Sequence, residues 1–312
     1  MTYGIGLDAG GTLLKATAAT PAGRVLAAVS TPTLPENGPE VFVAEAAALV
    51  RQLEARLGGG SPGLCVAVAG DVDPVNGLLR RAPNLASFEG YPLRAALSKA
   101  LKRPVSLHND ANMAAWGAYA VELGRRLPNV LALTLGTGVG GGAVLGGRLL
   151  TGATGTAGEF GHMRVVAGGY PCHCGARGCL EAHAGSYGLR RTVKDLLAER
   201  PRARTALRGG DFTPKDVSAA ARAGDALARD AWRRVGAALG TAVVNLVYAF
   251  NPDALLFTGG LSRAGRLFLG AVRETAAAES FKGPFGRLLL RAARLPAIGS
   301  VGAAVYALEG DA

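Results

Sequence analysis

Apolar and polar positions change in short bursts at the start of the chain and then settle into a helical period. Thr2–Leu7 is a short β-branched and apolar run ending in Asp8-Ala-Gly10-Gly11-Thr12. Leu13–Ala19 resumes as a strand, and Pro21-Ala-Gly23 turns the chain into a third, Val25–Val29. The second element is too short to be a crossover between parallel strands, so the start is hairpin-led. From Pro39 to Leu57, Val41, Val43, Ala46, Leu49, Val50, Leu53 and Leu57 recur at helical spacing, and Gly58-Gly-Gly-Ser-Pro supplies a stop.

Leu64–Ala69 predicts a buried strand, followed by a long loop from Gly70-Asp71 through Ala82-Pro83-Asn84-Leu85. A helix over about Leu93–Leu101 leads to the strand Val105–Leu107, which stops at His108-Asn109-Asp110 ahead of a helix over Ala111–Leu123. Open α/β sheets place ligands at such carboxyl ends of strands. The pattern then repeats: strand Val130–Leu135, glycine turn Gly136–Gly142, and a strand-like segment Ala143–Leu150. Two strand–glycine turn–strand units predict two related lobes facing each other. Helices follow over about Ser186–Glu199, Pro214–Arg222 and Ala226–Phe250, then a buried strand Ala254–Phe257 closed by Thr258-Gly259-Gly260. A further helix, a short stretch Arg287–Leu290 and a helix Gly299–Leu308 finish the pattern. No Ser/Pro-rich linker separates the parts, so the domains are expected to interleave.

Composition narrows the class. The 312 residues suffice for two cores, and 49% apolar with 18% charged residues is a globular balance. No apolar run is long enough to span a membrane, and Asp8 interrupts the only early apolar stretch, so no signal peptide is expected. Four cysteines without a disulfide-like spread point to a reducing compartment, hence the cytoplasm. The net charge of +11 comes from scattered arginine pairs without interleaved aromatics, which argues against nucleic acid and for either a general field that draws in anionic substrates or a solubility feature.

The candidate chemistry is concentrated in Gly158–Glu181, which holds Gly-Glu-Phe-Gly-His and then Cys-His-Cys-Gly-Ala-Arg-Gly-Cys-Leu-Glu. Cys172, Cys174 and Cys179 can converge on one soft cation, with Gly175 and Gly178 giving the tight turns. His162 is the favoured fourth ligand over His173 and His183, and the expected metal is zinc. A disulfide is the alternative, but it would leave one of the three cysteines over. Among the three glycine turns, Gly136, Gly138 and Gly141 form a literal G-x-G-x-x-G. A strand rather than a helix follows, which rejects a dinucleotide fingerprint. Any one turn alone reads as a plain hairpin. Together they fit backbone N–H groups cradling phosphate, with Asp8 placed to hold magnesium through water. Asp110 is either a helix-capping acid or a general base for a hydroxyl, with Asn109 fixing the substrate beside it.

Asp8-Ala-Gly-Gly-Thr12, Asn109-Asp-Ala-Asn112, Leu135-Gly-Thr-Gly-Val-Gly-Gly-Gly142, Gly158-Glu-Phe-Gly-His162 and Cys172-x-Cys-Gly-x-x-Gly-Cys-x-Glu181 occur in the order of the ROK family. The sequence resembles that family of bacterial sugar kinases and repressors from residue 4 to about 309. The resemblance implies an α/β, two-lobed, actin-like ATPase (ribonuclease H-like) fold with a small zinc knuckle in the larger lobe. It places a small lobe at 1–109 with a C-terminal helix from about 299–312, and a large lobe with the dimer surface at 110–298. Ala114-Ala115-Trp116-Gly117, Leu133-Thr-Leu135 and His162-Met-Arg-Val165 are most similar to bacterial glucokinases. That implies ATP-dependent phosphorylation of a hexose 6-hydroxyl, glucose first. N-acetylglucosamine, N-acetylmannosamine, mannose and fructose stay open as acceptors.

By the same resemblance, Asp110 is the base. Gly70, Asn84, Asn109, Glu159, His162 and Glu181 bind the sugar, and His162 also serves as a zinc ligand through its other nitrogen. Gly10, Gly11, Thr12, Gly136, Thr137 and Gly138 grip the phosphates of magnesium-bound ATP, and Gly259 and Gly260 lie against the adenosine. The family's usual lysine after Gly-Gly-Thr is Leu13 here, and Lys15, on the same strand face, is its expected substitute. A polyphosphate donor therefore stays open. A sugar-responsive repressor is a rival, but the seven residues before Asp8 are expected to leave no room for its helix-turn-helix domain. A homodimer is the family default.

Overall fold

The computed structural model describes residues 2–82 and 84–309; Met1, Pro83 and residues 310–312, which fall within the predicted loop and the expected small-lobe bounds, lie outside them. The chain opens with three strands, β1 (Gly4–Ala9), β2 (Leu13–Ala19) and β3 (Val25–Pro32), and the helix α1 (Gly38–Leu57). Next come β4 (Leu64–Val68), the hairpin β5 (Asp71–Asp73) and β6 (Leu78–Arg81), α2 (Leu93–Leu101), β7 (Val105–Asn109) and α3 (Asp110–Gly117). Then follow β8 (Val130–Leu135), β9 (Val139–Leu145), β10 (Arg148–Leu149), α4 (Leu180–Ala184), α5 (Ser186–Glu199), α6 (Pro214–Arg222) and α7 (Ala226–Phe250). The chain finishes with β11 (Ala254–Thr258), α8 (Gly265–Ala278), β12 (Leu289–Ala292) and α9 (Ile298–Tyr306).

Two five-stranded sheets form, in the orders β3-β2-β1-β4-β7 and β10-β9-β8-β11-β12. The chain divides into two compact units. Unit 1 is Met1–Val130, Gly142–Gly158 and Arg294–Ala312; unit 2 is Leu131–Gly141 and Glu159–Ala293. These bounds group Asp110–Val130 with the N-terminal strands, whereas the resemblance placed the division at residue 109.

In unit 1, strand alternation decides which helix covers which face. Ile5, Leu7 and Ala9 enter the core beneath α1 with Phe42, Val50 and Leu53. The alternate positions are Gly4 and Gly6, and a Cβ there would lie 1.9 Å from Ala304 O and 2.5 Å from Ser300 O. Glycine therefore lets α9 lie directly on the sheet. Asp8 is the next residue on that second face, opposite Lys15 in the antiparallel register of β1 and β2. The helix α3 meets α9 equally closely, since a Cβ on Gly302 would lie 2.0 Å from Met113 O. This packing holds the head of α3, and with it Asp110.

In unit 2 the longest helix, α7, buries Trp232, Val235, Leu239, Val243 and Val247, and β11 is buried throughout. Asp225 caps α7 by accepting from the Leu227 and Ala228 N–H groups, each at 3.0 Å.

Three local expectations change. The glycine turn after β8 is shorter than Gly136–Gly142, because Val139-Gly-Gly-Gly142 already forms β9. A Cβ on Gly142 would meet Ala111 O at 2.9 Å, so this last glycine serves the packing of β9 on α3. The loop after Gly70 contains the β5–β6 hairpin, which Arg80 stabilises by pairing with Asp71 and Asp73 at 2.8 and 3.0 Å. The expected helix to Leu123 changes to a π-helical turn over Ala118–Glu122.

Candidate functional site

Unit 1 carries a carboxylate group of residues at the ends of β1 and β7. Asn109 takes extended angles and caps α3, its Oδ1 accepting from Ala111 N at 2.8 Å and Asn112 N at 3.3 Å. Its Nδ2 donates to Gly70 O at 3.0 Å, leaving one amide hydrogen for a ligand. The capping role expected of Asp110 as one alternative thus falls to Asn109. Asp110 is half-buried in the first helical turn, where its Oδ1 accepts from Ala111 N at 2.9 Å. Burial raises its affinity for a proton above the ordinary carboxylate value, with that N–H opposing. Asp8 is raised to about 6, first by burial and then by the Asp110 charge, while Lys15 lowers it.

Gly70 sits at φ +137, where a Cβ would lie 2.4 Å from Arg81 O, so the turn beside Asn109 requires glycine. Gly10 donates its N–H to Leu13 O at 3.1 Å, closing the first glycine turn. Asn84 is exposed beside that turn, where a Cβ on Gly11 would lie 2.7 Å from Asn84 Cβ. Unit 1 thus brings Asp8, Gly10, Gly11, Thr12, Lys15, Gly70, Asn84, Asn109 and Asp110 to one end of its sheet. Leu13 is exposed and Lys15 half-buried, on the same side of β2 as expected.

Unit 2 carries the sulfur cluster. One ligand atom each from His162, Cys172, Cys174 and Cys179 lies within 4.8 Å of all the others. Backbone bonds shape the knuckle: Cys172 N–H to Ala176 O at 2.8 Å, Gly175 N–H to Cys172 O at 3.0 Å and Gly178 N–H to Tyr170 O at 2.9 Å. Gly175 and Gly178 have φ of +89 and +77, as a turn this tight demands. The two other nearby imidazoles are engaged elsewhere, His173 stacked on Tyr187 and His183 on Tyr170.

The donor set fits a soft tetrahedral cation such as zinc: three thiol sulfurs and one imidazole. Burial and the neighbouring thiols push Cys179 up to about 12, whereas the Ala176 N–H lowers Cys174; a bound cation would favour the thiolate at each. The Nδ1 of His162 faces Cys172 Sγ at 3.8 Å, while its Nε2 lies 3.9 Å from Glu159 Oε2. The side chains of His162 and Glu159 are 41% and 52% exposed.

Glu181 joins this cluster to the second glycine turn. Its Oε2 accepts from Val139 N at 3.1 Å, and a Cβ on Gly138 would fall 2.0 Å from that oxygen. Ser186 N donates to Gly136 O at 3.0 Å and Thr137 O at 3.1 Å, tying the turn to the head of α5. Gly136 has open space where a Cβ would stand, and Thr137 is exposed. Gly259, at φ +82, packs against Leu135, with a Cβ position 2.5 Å from Leu135 O; Gly260 beside it is open. Sequence reasoning missed Ser186 and Tyr187. Their only signal is position, directly after the short helix that carries Glu181.

The sequence pattern of the ROK family matches residues 4–309. The chain belongs to the ROK family. Among curated ROK relatives, a glucokinase of Thermotoga maritima is 37% identical over 273 residues, 86% of each chain. The crystal structure of a ROK family glucokinase from Streptomyces griseus, in complex with glucose and AMPPNP, is 34% identical. It matches with a TM-score of 0.83 over 99% of this chain and 100% of its own. A ROK hexokinase from Thermus thermophilus is 32% identical with a TM-score of 0.81, covering 97% of both chains. The two-lobed α/β sugar-kinase fold of the family is therefore the fold of this chain. Among the described residues no helix is long and apolar enough to cross a membrane.

Proposed function

We propose that this ROK protein is an ATP-dependent glucokinase that transfers the γ-phosphoryl group to the 6-hydroxyl of glucose. The observation that carries the reading is Asp110. It is a half-buried carboxyl at the head of α3 whose affinity for a proton is raised, in a chain similar over its full length to a glucokinase holding glucose and AMPPNP. A carboxylate with a raised pKa accepts a hydroxyl proton more readily than an ordinary aspartate.

In this reading Asp110 takes the proton from the 6-hydroxyl as the phosphoryl group arrives. Asn109 contributes its remaining amide hydrogen, and Glu159, His162 and Glu181 hold the other hydroxyls, with Gly70 and Asn84 completing the sugar contacts. The N–H groups of Gly10–Thr12 and Gly136–Gly138, with Lys15, bind the phosphates, and Gly259-Gly260 lies against the adenosine. Asp8 would help to hold the magnesium ion. The ion supplies charge neutralisation for a transfer whose loose transition state needs positioning more than covalent help.

His162, Cys172, Cys174 and Cys179 would hold a structural zinc ion that orients His162 for the sugar through its second nitrogen. Ligation through one ring nitrogen would fix the tautomer in which the imidazole presents the other to a hydroxyl.

The test is a coupled assay of the purified chain with glucose and magnesium-ATP, run beside other hexoses, N-acetylhexosamines and polyphosphate. Glucose with ATP is expected to give the highest kcat/KM. A chain that phosphorylates no sugar with either donor overturns the proposal. The polyphosphate arm is informative because Leu13 is apolar and exposed at the donor turn, so Lys15 must carry the donor-side charge.

A further inference from the structure

Glu181 is held at both oxygens. Val139 N–H donates to Oε2 at 3.1 Å, and the Tyr187 hydroxyl donates to Oε1, also at 3.1 Å. Tyr187 is itself held by the knuckle. Its ring stacks on His173 with centroids 4.4 Å apart and planes 25° from parallel, and its oxygen lies 3.8 Å from Cys172 Sγ. The space that receives Glu181 exists because residue 138 is glycine. Ser186, one residue before Tyr187, holds the carbonyls of Gly136 and Thr137. Two successive residues at the head of α5 therefore meet the sulfur cluster, the Glu181 carboxylate and the second glycine turn.

We propose that Tyr187 is a positioning residue. It fixes the Glu181 carboxylate in the orientation that receives the sugar, and transmits the order of the Cys172–Cys179 knuckle to that carboxylate. The inference rests on Glu181 being a sugar contact in the function proposed above. The physical reason is preorganisation. The terminal torsion of a glutamate is broad when the side chain is free, and its ordering is lost affinity if it must happen on binding. Here the Tyr187 hydroxyl and the Val139 N–H set that torsion before the sugar arrives, while an ionised carboxylate keeps lone pairs for hydroxyl donors. The contacts of Tyr187 are with Glu181, Cys172 and His173 rather than with the proposed base Asp110. Its loss should therefore weaken sugar binding and leave the chemical step alone.

Tyr187→Phe keeps the ring and its stack on His173 and removes only the hydroxyl. The expected result is a rise in the KM for glucose of about tenfold, with kcat and the KM for ATP within about twofold of wild type. Bound metal per chain and the thermal midpoint should stay unchanged. Glu181→Gln alone should raise the glucose KM, and adding Tyr187→Phe to it should raise the KM much less than it does in the wild-type background. An unchanged glucose KM in Tyr187→Phe overturns the proposal, as does a rise that persists in full in the Glu181→Gln background. Loss of metal with an equal fall in kcat would show a purely structural tyrosine and also overturn it. Wild-type activity on glucose separates this outcome from a failure of the proposed function. If another hexose of the panel is the substrate, the same KM ratios are read with that sugar.

Discussion

The two glycine turns that look alike in sequence both close on themselves, but different groups brace them. Gly10–Thr12 is supported locally: Asp8 precedes it, Lys15 faces Asp8 across the β1–β2 hairpin, and Gly10 bonds to Leu13. Gly136–Gly138 also closes on itself, with Gly136 N–H donating to Gly138 O at 3.0 Å, but it is tied in addition to residues far along the chain, to Glu181, which accepts from Val139, and to Ser186. The second turn is therefore joined, through Glu181 and the head of α5, to the sulfur cluster of its own unit. A phosphate-binding turn can be held by its own hairpin or by a remote brace, and the two arrangements fail differently when residues are changed.

The largest effect is expected on the locally supported side. Asp110→Asn should lower kcat by about 10²–10⁴-fold, the usual contribution of a general base, with the secondary structure unchanged by circular dichroism. On the remotely supported side, Cys174→Ser should cost stability and sugar affinity together, because folding of the knuckle and binding of its cation are one event. Thermal melts should show a loss of several degrees, on the order of 5 °C, and calorimetry a weakened glucose titration. Metal-free protein that bound glucose normally would break the link drawn between cluster and sugar.

Asp8 gives a third contrast, in pH. Its folded value of about 6 lies above the ordinary 3.8, so the protonated form is favoured by the fold. That contribution is fully present below about 3.8 and is lost as the pH rises through about 6. In magnesium-free buffer the stability of the wild type relative to Asp8→Asn should fall by up to about 3 kcal/mol across that window, measured by urea unfolding. A pH-independent difference would contradict the buried, carboxylate-coupled environment of Asp8.

The smallest expected effects compare the turns directly. Gly138→Ala drives a methyl group into Glu181 Oε2, whereas at Gly10 the nearest atom to an added Cβ is Leu13 O at 3.1 Å, and at Gly136 nothing lies within 4 Å. Gly138→Ala should raise the glucose KM by about tenfold. Gly136→Ala should leave the glucose KM alone and raise only that for ATP, since its methyl meets no protein atom. Equal effects of the two on glucose would dissolve the distinction.

Much of this was legible in the sequence because the signals were local. The hairpin start, the bounds of α2, α5, α6 and α7, and the gathering of His162 with three cysteines all follow from periodicity, glycine and short spacing. The misread segments were those decided by contacts distant in sequence. Gly140–Gly142 reads as turn by composition, yet these residues are part of β9, and Gly142 is glycine where α3 presses on the strand. The β5–β6 hairpin was hidden because its strands are too short to show alternation and depend on Arg80 for their pairing. Tyr187 was invisible for the same reason: a tyrosine in the first turn of a helix carries no sign of the carboxylate it holds. Likewise, no pattern in β1 announces that Gly4 and Gly6 are spaces for α9.

The most direct test of the central claim is the initial rate of glucose 6-phosphate formation from glucose and magnesium-ATP, measured for the wild type and for Asp110→Asn. The account predicts turnover by the wild type and a rate lower by at least about 10²-fold in a folded variant that still binds glucose. Wild-type turnover in Asp110→Asn would contradict it.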